Sequence, residues 1–463
     1  MKFRILHNKR VYNKDDINSN IQSHINYFQN IGIKKDQHIA INSENSLQYV
    51  FSIFALIEIG AIIIPINTRY SNQQIKASIS KFSIDLIISN IELDNEQEYF
   101  NFPKYDSSLD PEQDYIEILQ NPSTVLKEQI TNVILSSGST GEPKGVVHNY
   151  NNHFSHAGSS NTFYEFSTKD SWLLSLPLFH VGGFSILFKC LLANASLNIP
   201  VKLNDMADEI INTNTNCFSF VFTQYQRLIK NPNVINKLKT SKVILLGGSA
   251  IPESLITFSI DNDLPIRTSY GMSEMSSQIA TSKYPLNIDS SSSQVALPNV
   301  EIIISDKKEI LVKGEMLFKG YYTNRTLLKE LTINGFFATG DIGEYSEDNG
   351  LKITGRIDNM FISGGENIHP ENIERIISKT REIDKCLVVP KTNSEFGHIV
   401  SCVIKTSSHF DIKKFHLKLI EKLSKYEKPK RYYQYPEIEE GIKLDRKKVI
   451  QLVNDDLLTE LLY

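Results

Sequence analysis

The run Leu135-Ser136-Ser137-Gly138-Ser139-Thr140-Gly141-Glu142-Pro143-Lys144-Gly145 carries the clearest chemical signal in the chain. A β-branched pair, Val133-Ile134, feeds it. Gly138, Gly141 and Gly145 let backbone approach a ligand closely. The loop N–H groups and the hydroxyls of Ser136, Ser137, Ser139 and Thr140 are donors for phosphate oxygens, and Lys144 adds positive charge. Such a loop suits a polyphosphate. It is not a Walker A loop, because Lys144 follows Pro143 and precedes Gly145 instead of closing a Gly-x-x-x-x-Gly-Lys-Ser/Thr run. The plain alternative is a Gly/Ser turn after a strand.

Five further segments combine glycine with polar or charged residues. They are Pro177-Leu178-Phe179-His180-Val181-Gly182-Gly183, Leu246-Gly247-Gly248-Ser249, Tyr270–Gln278, Thr339-Gly340-Asp341 with Gly355-Arg356, and a C-terminal set of Asp358, Ser363–Ile368 and Lys443. Each has a plain reading alone: a structural histidine, a turn, a solvated loop carboxylate, a salt bridge. In this order behind the phosphate loop, they resemble the adenylate-forming superfamily, which includes acyl- and aryl-CoA ligases, luciferases and peptide-synthetase adenylation domains. The resemblance covers nearly the whole chain.

The resemblance implies an ATP site made of Ser136, Ser137, Gly138, Ser139, Thr140, Gly141, Lys144, Gly247, Gly248, Ser249, Tyr270, Gly271, Met272, Ser273, Asp341 and Arg356. Tyr270 would face adenine, Ser273 would donate to the α-phosphate, Asp341 would hold the ribose beside Arg356, and Glu274 would hold Mg²⁺. One glutamate is enough, since magnesium favours few carboxylates plus phosphate and water oxygens. His180 would shape the acyl pocket and join Lys144 and Lys443 in the catalytic set. Asp358 matches the hinge of a small domain that first presents Lys443 and then turns Gly364 and Gly365 to the pantetheine tunnel. ATP, CoA and an aromatic or acyl carboxylic acid are the implied small-molecule partners, Mg²⁺ is the cofactor, and a homodimer is left open.

Within the superfamily, Pro177–Phe184 and Tyr270–Gln278 look most like the o-succinylbenzoate–CoA ligase branch of menaquinone synthesis. That acid carries two carboxylates, and the idle one needs a donor or a positive charge. Lys189, Ser276 and Ser277 are the candidates, with a helix-surface lysine as the competing reading of Lys189. The region around His180 lacks the aspartate expected for an amino-acid substrate. Two departures stand out: Ile442 before Lys443, where glycine is usual, and Gln294-Val295-Ala296-Leu297-Pro298, where a Val-Gly opening is common. A medium-chain or aryl acyl-CoA ligase is the alternative, and a non-catalytic nucleotide-binding relative a more distant one.

The elements that must position these residues follow from pattern. Ile39–Ile41, Ala61–Ile64 and Leu86–Ile88 read as strands, 46–58 and 73–81 as helices, and the alternation predicts a parallel sheet with helices on its faces. Trp172–Leu176, Phe218–Phe222 and Lys242–Leu246 continue the strands; 300–355 reads as short antiparallel strands, and Lys413–Lys428 as helical. The expected class is α/β, with a large N-terminal domain over 1–356 of stacked mixed or parallel sheets with helices plus a small β-structure. A small mobile α+β domain over 357–463 follows. The 463 residues suffice for two or three domains, and a net charge of -4 gives no footprint for nucleic acid. No signal peptide or membrane span is evident, and four scattered cysteines suit a reduced, cytoplasmic setting. His148, His153 and His156 fit no standard zinc spacing and read as a polar helix face.

Overall fold

The computed structural model describes residues 2–93, 99–106, 108–137, 143–202, 206–248, 251–286, 294–328, 334–346, 348–380, 382–406, 410–436 and 446–461. Gly138, Ser139, Thr140, Gly141, Ser249 and Lys443 lie outside the described residues, as does the side chain of Ser137.

The alternating N-terminal elements build a sheet of seven strands among the described residues. Its order is Thr326–Leu328, Gly320–Thr323, Pro143–Asn149, Ile130–Ser137, Ile62–Pro65, His38–Asn42 and Leu86–Ser89. The last four run parallel, as the alternation requires. Ile130–Ser137 and Pro143–Asn149 pair antiparallel with Ser136 opposite Lys144, so the phosphate-loop segment joins the two arms of a hairpin.

The helix Leu47–Ile59 shows how local sequence sets this framework. Ser46 caps its start by accepting the Tyr49 N–H, and Gly60 ends it at φ 84°, a conformation glycine adopts without a Cβ clash. Ten of its residues are buried, so the helix is apolar all round and packs inside the domain. It belongs to one apolar cluster that joins Ile39, Ile41 and Ile63 of this sheet to Ile5, Leu197 and Ile199 of the second. Burying each such side chain stabilises the fold by about 1.5–3 kcal/mol.

The second sheet has thirteen strands among the described residues. Its centre is parallel: Ser196–Ile199, Ser171–Leu173, Cys217–Val221, Val243–Gly247 and Ile266–Met272. From Ile266–Met272 onward the pairing turns antiparallel through Ser277–Ser282, Gln294–Ala296, Gly350–Arg356 and Phe337–Ser346. This is the antiparallel region expected over 300–355. One strand is shorter than its apolar run suggests: Trp172–Leu176 was expected throughout, yet the strand stops at Leu173. The Ser175 N–H turns back to the Leu173 carbonyl, and its hydroxyl donates to the Ser219 carbonyl, which bends the chain ahead of Pro177.

Beyond residue 356 the chain forms the hairpin Phe361–Ser363 and Glu366–Ile368, and a sheet of Ile383–Asn393, Gly397–Thr406 and Arg431–Gln434. Among the described residues, its two buried apolar clusters draw on Phe361 to Leu461 alone. The helical reading of Lys413–Lys428 is corrected, since the helix is Ile412–Ile420. Tight turns from Lys422 to Leu419 and from Glu427 to Ser424 follow it, and Pro429 cannot continue a helix. Among the described residues no helix is long and apolar enough to cross a membrane. The four cysteines form no disulfide.

Candidate active site

Three groups of side chains gather around the strand Ile266–Met272 and the turn after it. The first is Tyr270, Asp341 and Arg356. Asp341 and Arg356 face each other across paired strands, and Tyr270 reaches them from a third. The Tyr270 hydroxyl donates to Asp341 Oδ2 at 2.6 Å and Arg356 Nη1 donates to Oδ1 at 2.9 Å. Asp341 is buried, and burial raises its carboxyl above the ordinary range, while the Tyr270 and Arg356 donors pull it back. Burial and the neighbouring carboxylate likewise raise the Tyr270 phenol. Arg356 Nη2 also lies 3.6 Å from Asp358 Oδ2, so the expected hinge residue is ion-paired to the expected ribose pair.

The second group is Lys144, Glu274 and a residue absent from the sequence reading, Tyr321. Glu274 sits in the single turn Ser273–Met275. Its Oε1 accepts the Tyr321 hydroxyl at 2.7 Å, and the Lys144 ammonium stands 4.9 Å over the Tyr321 ring. Tyr321 gave no signal because Gly320-Tyr321-Tyr322 reads as an ordinary strand. Only the pairing of Tyr321 with Val146 brings it beside Lys144. Glu274 is a half-buried carboxylate with one oxygen held by a neutral donor, an oxygen ligand that fits a hard divalent ion which also takes phosphate oxygens.

The third group surrounds Lys189, on the helix Val181–Leu192. The surface reading fails: Lys189 is 1% exposed. Its ammonium donates to Gln278 Oε1 at 2.7 Å and lies 4.7 Å over the Trp172 ring. Burial drives it down to about 7. Gln278 was quoted in the sequence motif without a role. Its Nε2 donates to Tyr164 and Ser269, which fixes the carboxamide so that its oxygen faces the lysine. Gln278 pairs across the strands with Gly271, where a Cβ would sit 1.9 Å from the Ser277 carbonyl oxygen, so only glycine fits.

The remaining expected residues fall as follows. His180 is exposed at the N-cap of the Lys189 helix, its ring 4.7 Å from that of Phe179. Gly183 is required there because a Cβ would meet the Pro177 carbonyl at 2.2 Å. Gly247 ends its strand opposite Ser269, and Gly248 follows it. Ser276 is turned away from a ligand role in this arrangement: it is buried, with its hydroxyl donating to the Met316 carbonyl at 2.9 Å. Ser277 is half-buried beside Gln278. Gly364 and Gly365 are exposed at the tip of their hairpin, with φ 56° and 88°.

The polar-helix-face reading of the three histidines is overturned. His148 lies on a strand, and His148, His153 and His156 are all at most 1% exposed. His148 Nε2 bonds the Ser273 carbonyl at 2.7 Å, and His156 Nε2 accepts the Gln278 N–H at 3.1 Å, so they anchor both ends of the 273–278 segment from below. Sequence spacing could not show this, because the partners lie more than a hundred residues away. Burial holds His148 down to about 4 and the other two well below 6.5. The unfolded chain therefore binds more protons than the native one from about pH 6.5 down to about 4, and stability falls with pH across that window. For His148 alone the shift corresponds to about 3 kcal/mol. The melting temperature is expected to drop below pH 6.5 while the three imidazole NMR signals stay at their neutral positions down to pH 5. Protonated signals at pH 6 in the folded protein would refute this.

With this geometry in hand, comparison with known proteins decides the family. Residues 14–322 match the AMP-binding enzyme family. The chain is an AMP-binding enzyme. It is 31% identical over 442 residues to the 2-succinylbenzoate–CoA ligase of Haemophilus influenzae, covering 94% of this AMP-binding enzyme and 91% of the relative. Its fold matches wild-type E. coli MenE bound to a phenylether-linked analogue of OSB-AMS, with TM-score 0.81 at 24% identity over 98% and 96% of the two chains. It also matches Bacillus subtilis o-succinylbenzoate coenzyme A synthetase in complex with ATP and magnesium, with TM-score 0.82 at 22% identity over 97% and 96%.

Proposed function

We propose that this AMP-binding enzyme joins 2-succinylbenzoate to coenzyme A, with ATP cleaved to AMP and diphosphate. The observation that carries the choice of acid is Lys189, a buried amine that, among the described residues, meets a carboxamide and an aromatic face but no carboxylate. A monocarboxylic acid would leave that charge idle, whereas the second carboxylate of a diacid would meet it. The names of the curated relatives point to the same acid.

In this reading Asp341 accepts the ribose hydroxyls, with Tyr270 and Arg356 fixing the carboxylate. Lys144 and the loop N–H groups meet the phosphates. Glu274 would hold a magnesium ion, which supplies positive charge to the triphosphate when bound. The substrate carboxylate must approach another anion at the α-phosphorus, so the positive groups lower the barrier by neutralising charge that builds in line. Lys443 contributes to that step, and diphosphate leaves. The segment from 357 onward then turns at Asp358, bringing Gly364 and Gly365 to the pantetheine arm. The CoA thiol attacks the activated carbonyl and AMP departs. No enzyme nucleophile is needed.

The test is diphosphate release with 2-succinylbenzoate, benzoate and octanoate, each with and without CoA. Release with the diacid alone and thioester only when CoA is added is the expected result. Preference for benzoate or octanoate would replace the acid and leave the ligase class; no AMP from any acid would leave only nucleotide binding.

A further inference from the structure

We propose that Tyr321 is a positioning residue that holds Glu274 and Lys144 as two separate, usable charges, an inference that rests on the ATP–magnesium reading above. A carboxylate and an ammonium held close together tend to pair, and a closed ion pair offers less charge to a metal or a phosphate. Tyr321 meets the two groups with different parts of one rigid side chain. Its hydroxyl donates to Glu274 Oε1 at 2.7 Å, a short bond from a neutral group that orients the carboxylate without supplying a countercharge. Its ring lies 4.9 Å from the Lys144 ammonium, which it attracts through the electron-rich face without supplying a countercharge.

The backbone fixes this arrangement from both sides. The strand Gly320–Thr323 pairs with the strand that carries Lys144, placing Tyr322 opposite Gly145 and Tyr321 opposite Val146. Three residues before Tyr321, the Phe318 N–H donates to the Glu274 carbonyl at 2.8 Å. The Phe318 ring packs edge-on against Tyr321, at 4.9 Å and 65°, and limits its swing. Tyr321 is thus tied to the lysine strand and to the glutamate turn at once. The phenol supports the glutamate as outer partners of metal ligands do, and the ring steers the lysine.

Tyr321→Phe keeps the ring and removes the donor; Tyr321→Leu removes both. The measurement is diphosphate release against magnesium concentration at saturating ATP and acid, beside calorimetric titration of ATP with and without magnesium. The phenylalanine variant is expected to need about 10-fold more magnesium for half-maximal rate, with the KM for the acid unchanged. The leucine variant should add a weaker affinity for ATP measured without magnesium. A magnesium curve for Tyr321→Phe that superimposes on the parent overturns the proposal. So does a lower rate with an unchanged magnesium midpoint, which is what a merely structural role would give. Calorimetry decides the matter even if no acid is activated, so failure of the ligase reading and failure of the Tyr321 role are told apart.

Discussion

Lys189→Met is expected to raise the KM for 2-succinylbenzoate by about 10²–10³-fold while changing that for benzoate less than about threefold. Methionine matches the lysine in length and flexibility but brings no charge, so the second carboxylate would be buried without its cation. Leaving one member of a buried charge pair alone costs about 3–5 kcal/mol. In the absence of substrate the same substitution should stabilise the protein. Lys189 is 1% exposed and has a neutral carboxamide for a partner, so the folded protein carries the cost of a buried ammonium. Its folded value of about 7 lies below the unfolded 10.5, so the native state binds fewer protons between those limits. The destabilisation is fully present below pH 7 and fades as pH rises towards 10.5. A melting temperature raised by the equivalent of about 1–4 kcal/mol at pH 6.5, with a smaller gain at pH 9, is the matching thermal result. Equal losses on diacid and monoacid would remove Lys189 from the acid pocket.

The second large effect is expected at Asp341. Asp341→Ala should lower kcat/KM for ATP by about 10²-fold or more, since two charge-assisted hydrogen bonds to a ribose are worth about 1.5–3 kcal/mol each. The loss is sharpened because Tyr270 and Arg356 both donate to this one carboxylate, and its removal takes away an acceptor from each. The discriminating measurement compares ATP with 2′-deoxy-ATP. The parent should prefer ATP, and the variant should accept both about equally. A variant that keeps the preference would show that the carboxylate does not hold the sugar. Burial raises the Asp341 carboxyl, so its protonation at acid pH sets in above the ordinary range and ATP affinity should weaken as pH falls.

Much of the architecture was legible because local pattern and final position agree. The buried helix Leu47–Ile59, bounded by Ser46 and Gly60, and the strands His38–Asn42, Ile62–Pro65 and Leu86–Ser89 differ from their expected limits by a residue or so. The limits failed where a tertiary contact overrode an apolar run. Ser175 turned the chain because the Ser219 carbonyl was within reach of its hydroxyl, information that no window around Trp172 contains. Among the candidate site residues, Asp341 and Arg356 were paired by motif and are paired in space. Tyr321 and Gln278 were passed over, since a tyrosine in a strand and a glutamine at its start have no spacing that marks them.

The sequence by itself determined the order of glycine-, hydroxyl- and charge-bearing segments, and with them the α/β class and the family, because those segments are short and their chemistry is local. The tertiary structure decided what the charges face. It sent Lys189 inward onto Gln278 and Trp172, buried three histidines that looked solvated, and set Tyr321 against both Lys144 and Glu274. Those outcomes depend on strand pairing and helix packing between residues up to 177 positions apart in the case of Lys144 and Tyr321. Burial, which moves proton affinities by whole units, exists only once the sheets have closed over the side chain.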